Sequence, residues 1–470
     1  MKRVICLLMC IVFLFSFCAC SKNGKGNLSN KGGSEIASKP LNLPYSREEG
    51  TNPFDCSSIV NYCLMPLLYD SLFTIDKTYS ATPSLATGIE QNGKAVRVTI
   101  DTTRKFSDGT TLTLEDVVYS FRAAKKSTYY GSALRNISTC ELWDEETVLF
   151  VTSGVNAFVA SDLTFPIIKV DGGDNPASSG PYVYTPTTEG GKLTRNKFYV
   201  KNEYANDTIN LINVTNTDSL NMGIVIGTYD ACFDDMSSGE SARISVGSAQ
   251  VDLNNLVYFA FNLDGYFAQP KIRQAISMVI DRSALLESGY EGYGEATAMP
   301  FNPQWYAAEG CTWEDPMTVE EAKEYINSYL GKYTITILVN EGNGFRQKCA
   351  ETLSDQLANI GVNSKVEVVS WDVFQEGREA GRYDIYFGEY KMSNDMNTGP
   401  LFTTDYLQAR LFNMIAGAIT PSEFMTDFVA EQPFVPICIR YGVTAYSKQL
   451  QGGIEPLPNN PFANLTEWFK

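Results

Sequence analysis

Apolar residues are arranged in two ways along this chain: as one short block at the start, and as periodic runs from residue 41 onward. The block covers residues 4–17, behind Lys2 and Arg3. It is too short to cross a hydrocarbon core, which takes ~20 helical residues, so it reads as an export signal. Residues 21–40, SKNGKGNLSNKGGSEIASKP, reverse the pattern, with no aromatic residue and many Gly, Ser, Asn and Lys. Such a stretch cannot bury enough apolar surface to offset its ordering entropy and is expected to act as a leash.

In the remainder, spacing predicts the elements. Residues 41–55 start extended and turn at Asn52-Pro53, and 59–73 form an apolar stretch. Residues 96–100 alternate as a half-buried strand does. Thr113 stands as an N-cap with Asp116 as the acid of a capping box, ahead of a buried stripe of Val117, Val118, Phe121 and Ala124. Residues 256–263, LVYFAFNL, are continuously apolar, as in a strand buried on both faces. Pro270 opens a helix carrying Ile272, Ala275, Ile276, Val279 and Ile280, with Gly289 as its stop. Residues 334–390 read β-α-β-α-β: strand 334–339, helix 345–360, strand 365–369, a short helix behind Ser370, strand 383–387. That succession builds a parallel sheet with covering helices, so the fold class is α/β. Residues 434–441 add one more buried strand.

Composition narrows the function. The whole chain carries a formal charge of −17. Lys2, Arg3 and the leash's net +3 account for five positive charges, which leaves −22 on residues 41–470. A body this acidic is a poor partner for nucleic acid, whose binding rests on cations neutralising phosphates. At 430 residues it suits two or three lobes rather than a single core. Seven cysteines follow residue 40 (Cys56, Cys63, Cys140, Cys232, Cys311, Cys349 and Cys438) at irregular spacings. They form neither a disulfide framework nor a zinc pattern; one Cys56–Cys63 bridge or buried free thiols both fit. There is no histidine, which removes the commonest general base and metal ligand. No catalytic residue, metal or cofactor is expected.

Two resemblances sharpen the picture. Phe17-Cys18-Ala19-Cys20 resembles a bacterial lipobox, which implies a signal over 1–19, acylation of Cys20 and a tether over 20–40. An uncleaved anchor, or an ordinary signal with a chance cysteine, stays open. Further on come Asn52-Pro53-Phe54-Asp55, Leu68-Tyr69-Asp70-Ser71-Leu72-Phe73 and Pro83-Ser84-Leu85-Ala86. Lys105-Phe106-Ser107-Asp108-Gly109 then runs into Thr113-Leu114-Glu115-Asp116-Val117-Val118-Tyr119-Ser120. Gly180-Pro181-Tyr182, Arg195-Asn196-Lys197-Phe198-Tyr199 and Lys271-Ile272-Arg273-Gln274-Ala275-Ile276 follow in order. Together these resemble the solute-binding proteins of the peptide/nickel family of ABC importers, over most of residues 41–400.

The resemblance implies a two-lobed clamp of the periplasmic-binding-protein kind. Lobe one would hold 41–254 and 434–470, with an inserted subdomain at about 56–165; lobe two would hold 255–433. A small solute, most simply an oligopeptide, would bind between them, and the closed form would dock a membrane permease. A monomer is expected. A metal chelate, a sugar oligomer or a signal peptide stays open as cargo. So do a surface hydrolase using paired carboxylates and a receptor that reports to a sensor.

Candidate ligand contacts come from position. Tyr45, Ser46 and Arg47 lie on the first extended segment, which lines the cleft in relatives; capping a sheet edge is the plain alternative. Glu389, Lys391 and Asp395 lie just beyond the carboxyl end of a parallel strand, where open α/β sheets place ligands; an exposed charged loop is the alternative. Trp371 and Trp305 can serve as apolar walls or as core. Arg346 begins a helix and is within reach of a ligand carboxylate, or is solvated surface. Relatives carry an aspartate for the peptide amino group where this chain has Met392, and dipeptide binders an arginine where it has Asn340. Asp395 or Glu389 stays open as a substitute for that aspartate, and dipeptide recognition by the familiar pair of ion contacts is not expected.

Overall fold

Two long antiparallel strands, Gly247–Phe261 and Phe434–Tyr446, cross the middle of the computed structural model and join its lobes. The structure describes residues 39–201, 203–214, 220–237 and 246–470. The export signal, Cys20 and the leash up to residue 38 lie outside the described residues. The sequence signal covers only the apolar halves of the two strands. Residues 247–252 carry no continuous apolar run, yet they are strand because they pair from Gly247↔Tyr446 to Asp252↔Tyr441 with the other crossing strand.

The first crossing strand touches three cores. Val251 and Leu253 belong to the core of lobe one; Val257, Phe259 and Phe261 face one side of the large sheet, and Leu256, Tyr258 and Ala260 the other. That sheet runs in the order Ala231–Asp234, Phe434–Tyr446, Gly247–Phe261, Ile385–Lys391, Thr334–Asn340, Asn363–Val369, with Gly294–Ala296 attached to Phe434–Tyr446. Its last three strands are parallel, as the β-α-β-α-β pattern predicts. Helix Gly344–Asn359 lays Phe345, Cys349, Leu353 and Leu357 on one face, each large side chain contributing about 1.5–3 kcal/mol of burial. Helix Trp371–Glu379 covers the opposite face, where Phe374 meets Tyr386.

One helix differs from expectation. The run from Pro270 ends at Val279, and Asp281 caps a second helix, Arg282–Tyr290, by accepting from the Ala284 amide at 3.0 Å. Gly289 is inside that second helix rather than at its end. A Cβ there would stand 2.9 Å from Cys349 Cβ, so the glycine lets two helices pack closely.

In lobe one, Leu41–Tyr45 pairs parallel with Thr208–Asn213, which continues into Gly190–Arg195 and Tyr182–Thr187. The subdomain is a second four-stranded sheet, Ala86–Asn92, Ala95–Ile100, Thr147–Thr152 and Ile137–Leu142 in spatial order. Helix Leu114–Ala124 lies against it, with the capping box of Thr113 and Asp116 formed and the expected stripe buried. The C-terminal tail returns to lobe one, where Phe462, Leu465 and Trp468 join its core. This is the α/β two-lobed clamp with an inserted subdomain. The seven cysteines after residue 40 are free thiols, all buried except the half-buried Cys311.

Candidate functional site

The loop that leaves strand Ile385–Lys391 is fixed by an irregularity in the first crossing strand. The ladder shifts register between Asp252 and Asn255. Asn254, fully buried, adopts a left-handed φ of 52° there, a conformation that asparagine tolerates better than most residues. Its carbonyl accepts from the Met392 amide at 3.0 Å, and its Nδ2 donates to the Ser393 carbonyl at 3.0 Å. Asn302 Nδ2 lies 2.8 Å from Asp252 Oδ2, 3.1 Å from Asn254 Oδ1 and 3.2 Å from the Tyr79 hydroxyl. One buried polar knot thus ties a subdomain turn, the crossing strand and the loop at 391–394.

That loop forms one wall of a cavity of about 440 Å³. Tyr62, Tyr129 and Tyr130 of the subdomain, Tyr199 of lobe one and Asn459 of the tail line other walls. The volume falls within the range of small-ligand sites, ~300–1,000 Å³. Tyr62 stacks on Tyr129 at 4.2 Å, and the Tyr129 hydroxyl donates to the Ser57 carbonyl at 2.8 Å. These rings give the cavity an apolar body with hydroxyl rims, suited to a mixed apolar and polar guest.

Charges around the cavity are largely spent on one another. Asp70 is buried and receives Arg104 on one oxygen and the Tyr199 hydroxyl, at 3.0 Å, on the other. Burial pushes it up to about 6 despite those partners. Glu389 pairs with Arg440 at 2.8 Å and with Asn255 at 2.5 Å. Burial alone would raise its carboxyl, but Arg440 and the hydrogen bonds hold it below the usual range. Arg440 also donates to the Asp235 carbonyl. The Lys391 ammonium donates to the Leu253 carbonyl and to Asn459 Oδ1. Its side chain is open to the cavity but surrounded by protein, and that burial lowers the ammonium to about 8.

Asp395 points away from the cavity. It is fully buried and accepts from the Ser393 hydroxyl, the Asn397 amide at 3.1 Å and Asn156 Nδ2 at 3.0 Å. Burial and the neighbouring Asp395 raise Asp162 well above the carboxylate range, and burial raises Asp395 as well. Burial and like charge thus favour the protonated form of these acids. Such groups bind protons in the folded state that the unfolded chain releases. Their contribution to stability is therefore complete below about pH 4 and is lost as pH rises through the folded values. Lowering the pH from 7 to 5 is expected to raise the urea midpoint, Asp70 alone giving about 1 kcal/mol. Depressed carboxylates such as Asp108, at about 2, oppose this only below about pH 4. A midpoint that fell between pH 7 and 5 would contradict this assignment.

Of the positions chosen from sequence, Lys391 lines the cavity. Arg346 takes the first turn of helix Gly344–Asn359; its amide donates to Asn343 Oδ1 at 3.0 Å, and its Nε is buried without a partner. It is close enough to Glu389 to favour the carboxylate. Tyr45 is buried with its hydroxyl 3.1 Å from that of Tyr184, and Ser46 is held through its backbone by Asn61. Arg47 is exposed and donates to the Thr188 carbonyl at 3.3 Å. Trp371 is half-exposed and stacks on Phe374 at 5.7 Å. Trp305 is core, edge-on to Phe158 at 4.6 Å. Neither the tyrosine walls nor the tail at 457–466 was singled out by sequence. Their only signal is aromatic density, Tyr129-Tyr130 above all, and a Pro458-Asn459-Asn460 turn.

Comparison with known proteins decides what this clamp is. Residues 80–409 match the model of the bacterial extracellular solute-binding proteins, family 5. The chain belongs to this family. Among curated relatives, the oligopeptide-binding protein AppA of Bacillus subtilis is 23% identical over 68% of this chain and 67% of its own length. The glutathione-binding protein GsiB of Salmonella typhimurium is 22% identical over 85% of this chain and 89% of its own. Among solved structures, the ABC transporter substrate-binding protein CtaP of Listeria monocytogenes superimposes with a TM-score of 0.72 at 20% identity, covering 92% of this chain and 99% of that one. Among the described residues, no cluster of His, Cys, Asp or Glu is arranged to hold a metal ion, and no helix is long and apolar enough to cross a membrane.

Proposed function

We propose that this protein captures a short oligopeptide in the 440 Å³ cavity and delivers it unaltered to the permease of an ABC importer. The observation that carries the reading is where the cavity lies. Its walls come from the subdomain, lobe one, the tail and the loop after Ile385–Lys391, so a guest there touches both halves of the clamp. A ligand shifts an opening equilibrium only by its preference for one form, and contacts to both lobes favour the closed one. On this reading lobe one comprises 41–254 and 434–470, the subdomain about 56–165, and lobe two 255–433. The protein acts as a monomer held at the outer face of the plasma membrane by an acylated Cys20.

It is a receptor and not an enzyme in this account. Asp162 and Asp395 form a close carboxyl pair, but both are sealed from solvent, whereas paired-carboxylate hydrolysis needs water and substrate between the two acids. A thermal-shift panel of short peptides, oligosaccharides and metal chelates tests the proposal. Peptides are expected to raise the melting temperature, with stabilisation of about 2.7 kcal/mol at a hundredfold excess over Kd, and to be recovered intact. Stabilisation by sugars or chelates alone would replace the cargo, and turnover of a hit would replace the mechanism.

A further inference from the structure

The cavity's unspent charge is positive. Asp70 is the single carboxylate among the lining residues, and Arg104 and Tyr199 occupy its two oxygens. Behind the wall, Glu389 is taken by Arg440 and Asn255, and Asp395 is turned toward Asn156 and Asp162. Nothing in that set is left to receive a ligand's ammonium group. The two lining cations differ from this. Lys201, at the more open side, donates to Thr466 Oγ1 at 3.0 Å and stands 3.5 Å from the exposed Glu467.

Lys391 has only neutral acceptors, the Leu253 carbonyl and Asn459 Oδ1, and no carboxylate lies within ion-pairing distance among the described residues. An ammonium has three donors, so one N–H remains, on a group that lines the cavity. On a body with 22 more acidic than basic residues, a solvent-accessible lysine that lines the cavity without an ion-pair partner is suited to receive an anion. Asp252, Glu389 and Asp235 stand farther off as background attraction and Arg440 as repulsion.

Resting on the peptide reading above, we propose that Lys391 anchors the carboxylate of the bound peptide, and that the peptide's amino group finds no ionic partner in the cavity. The ligands favoured are then short peptides with a free or side-chain carboxylate, whether or not the amino end is blocked. The test is isothermal titration of tri-alanine and of a mixed-sequence tripeptide pool. Each is supplied with free ends, N-acetylated, C-amidated, and blocked at both ends. N-acetylation is expected to change affinity by less than about three-fold, and C-amidation to weaken it by about ten-fold or more, the scale of a lost hydrogen bond to a charged group. Lys391→Met is expected to remove the preference for a free carboxylate and Lys391→Arg to retain it, with melting temperatures monitored for both. Binding that requires the free amine and tolerates C-amidation would overturn the inference while leaving the peptide reading intact. Binding by none of the eight preparations would overturn both.

Discussion

Replacing Arg440 by methionine is expected to destabilise the protein by about 3–5 kcal/mol, the cost of leaving a buried charge without its partner. Arg440 is almost fully buried, 2.8 Å from Glu389, and bridges Glu389 to the Asp235 carbonyl. Without it, Glu389 stays enclosed with only Asn255 as a donor, and its carboxyl must take up a proton or draw in water. The double change Arg440→Met with Glu389→Gln removes both charges and is expected to recover most of the loss, since replacing a buried pair outright is often nearly neutral. Urea unfolding of the two single variants and the double variant measures this as a cycle. A single-variant cost below about 1 kcal/mol would mean that the pair is hydrated. Glu389 would then return as a candidate for the ligand's amino group.

Trp305→Ala is expected to cost about 3–5 kcal/mol with ligand affinity per folded molecule unchanged. The indole is 1% exposed and packs edge-on to Phe158 at 4.6 Å and to Phe301 at 5.9 Å. Phe158 belongs to the subdomain and Phe301 to the segment after Gly294–Ala296, so the tryptophan joins the two bodies away from the cavity lining. Nearby, the Ala157 amide bonds the Ile415 carbonyl at 2.9 Å, and Asn394 donates to the Ser161 carbonyl at 2.8 Å. A variant with normal stability and lost binding would instead make Trp305 a cleft wall. Denaturant melts paired with titration of the best peptide separate these outcomes.

What the sequence discloses follows the range of the interactions. Helix Leu114–Ala124 and the β-α-β-α-β unit are legible because caps, stripes and turns act within a few residues. The first half of Gly247–Phe261 is not, because its ladder depends on a partner nearly two hundred positions later. The same contrast divides the candidate site. Glu389, Lys391 and Asp395 share one positional argument, yet the first two end strand Ile385–Lys391, Asp395 follows it, and their surroundings differ. Arg440, 51 positions away, claims Glu389, and Asn156, 239 positions away, claims Asp395. Only Lys391 is left facing the cavity. Tyr62, Tyr129, Tyr130 and Tyr199 become neighbours of that lysine through folding alone, and no local pattern marks them.

Amide hydrogen exchange of the protein with and without saturating tri-alanine or the tripeptide pool tests the claim that a guest bridges the lobes at this cavity. Slowed exchange is expected at 62–75, 129–133, 391–394 and 457–466 together, with the turn at Asn254 following. Protection confined to one lobe, or centred on Tyr45–Arg47 and Trp371 with the 391–394 loop unchanged, would contradict it.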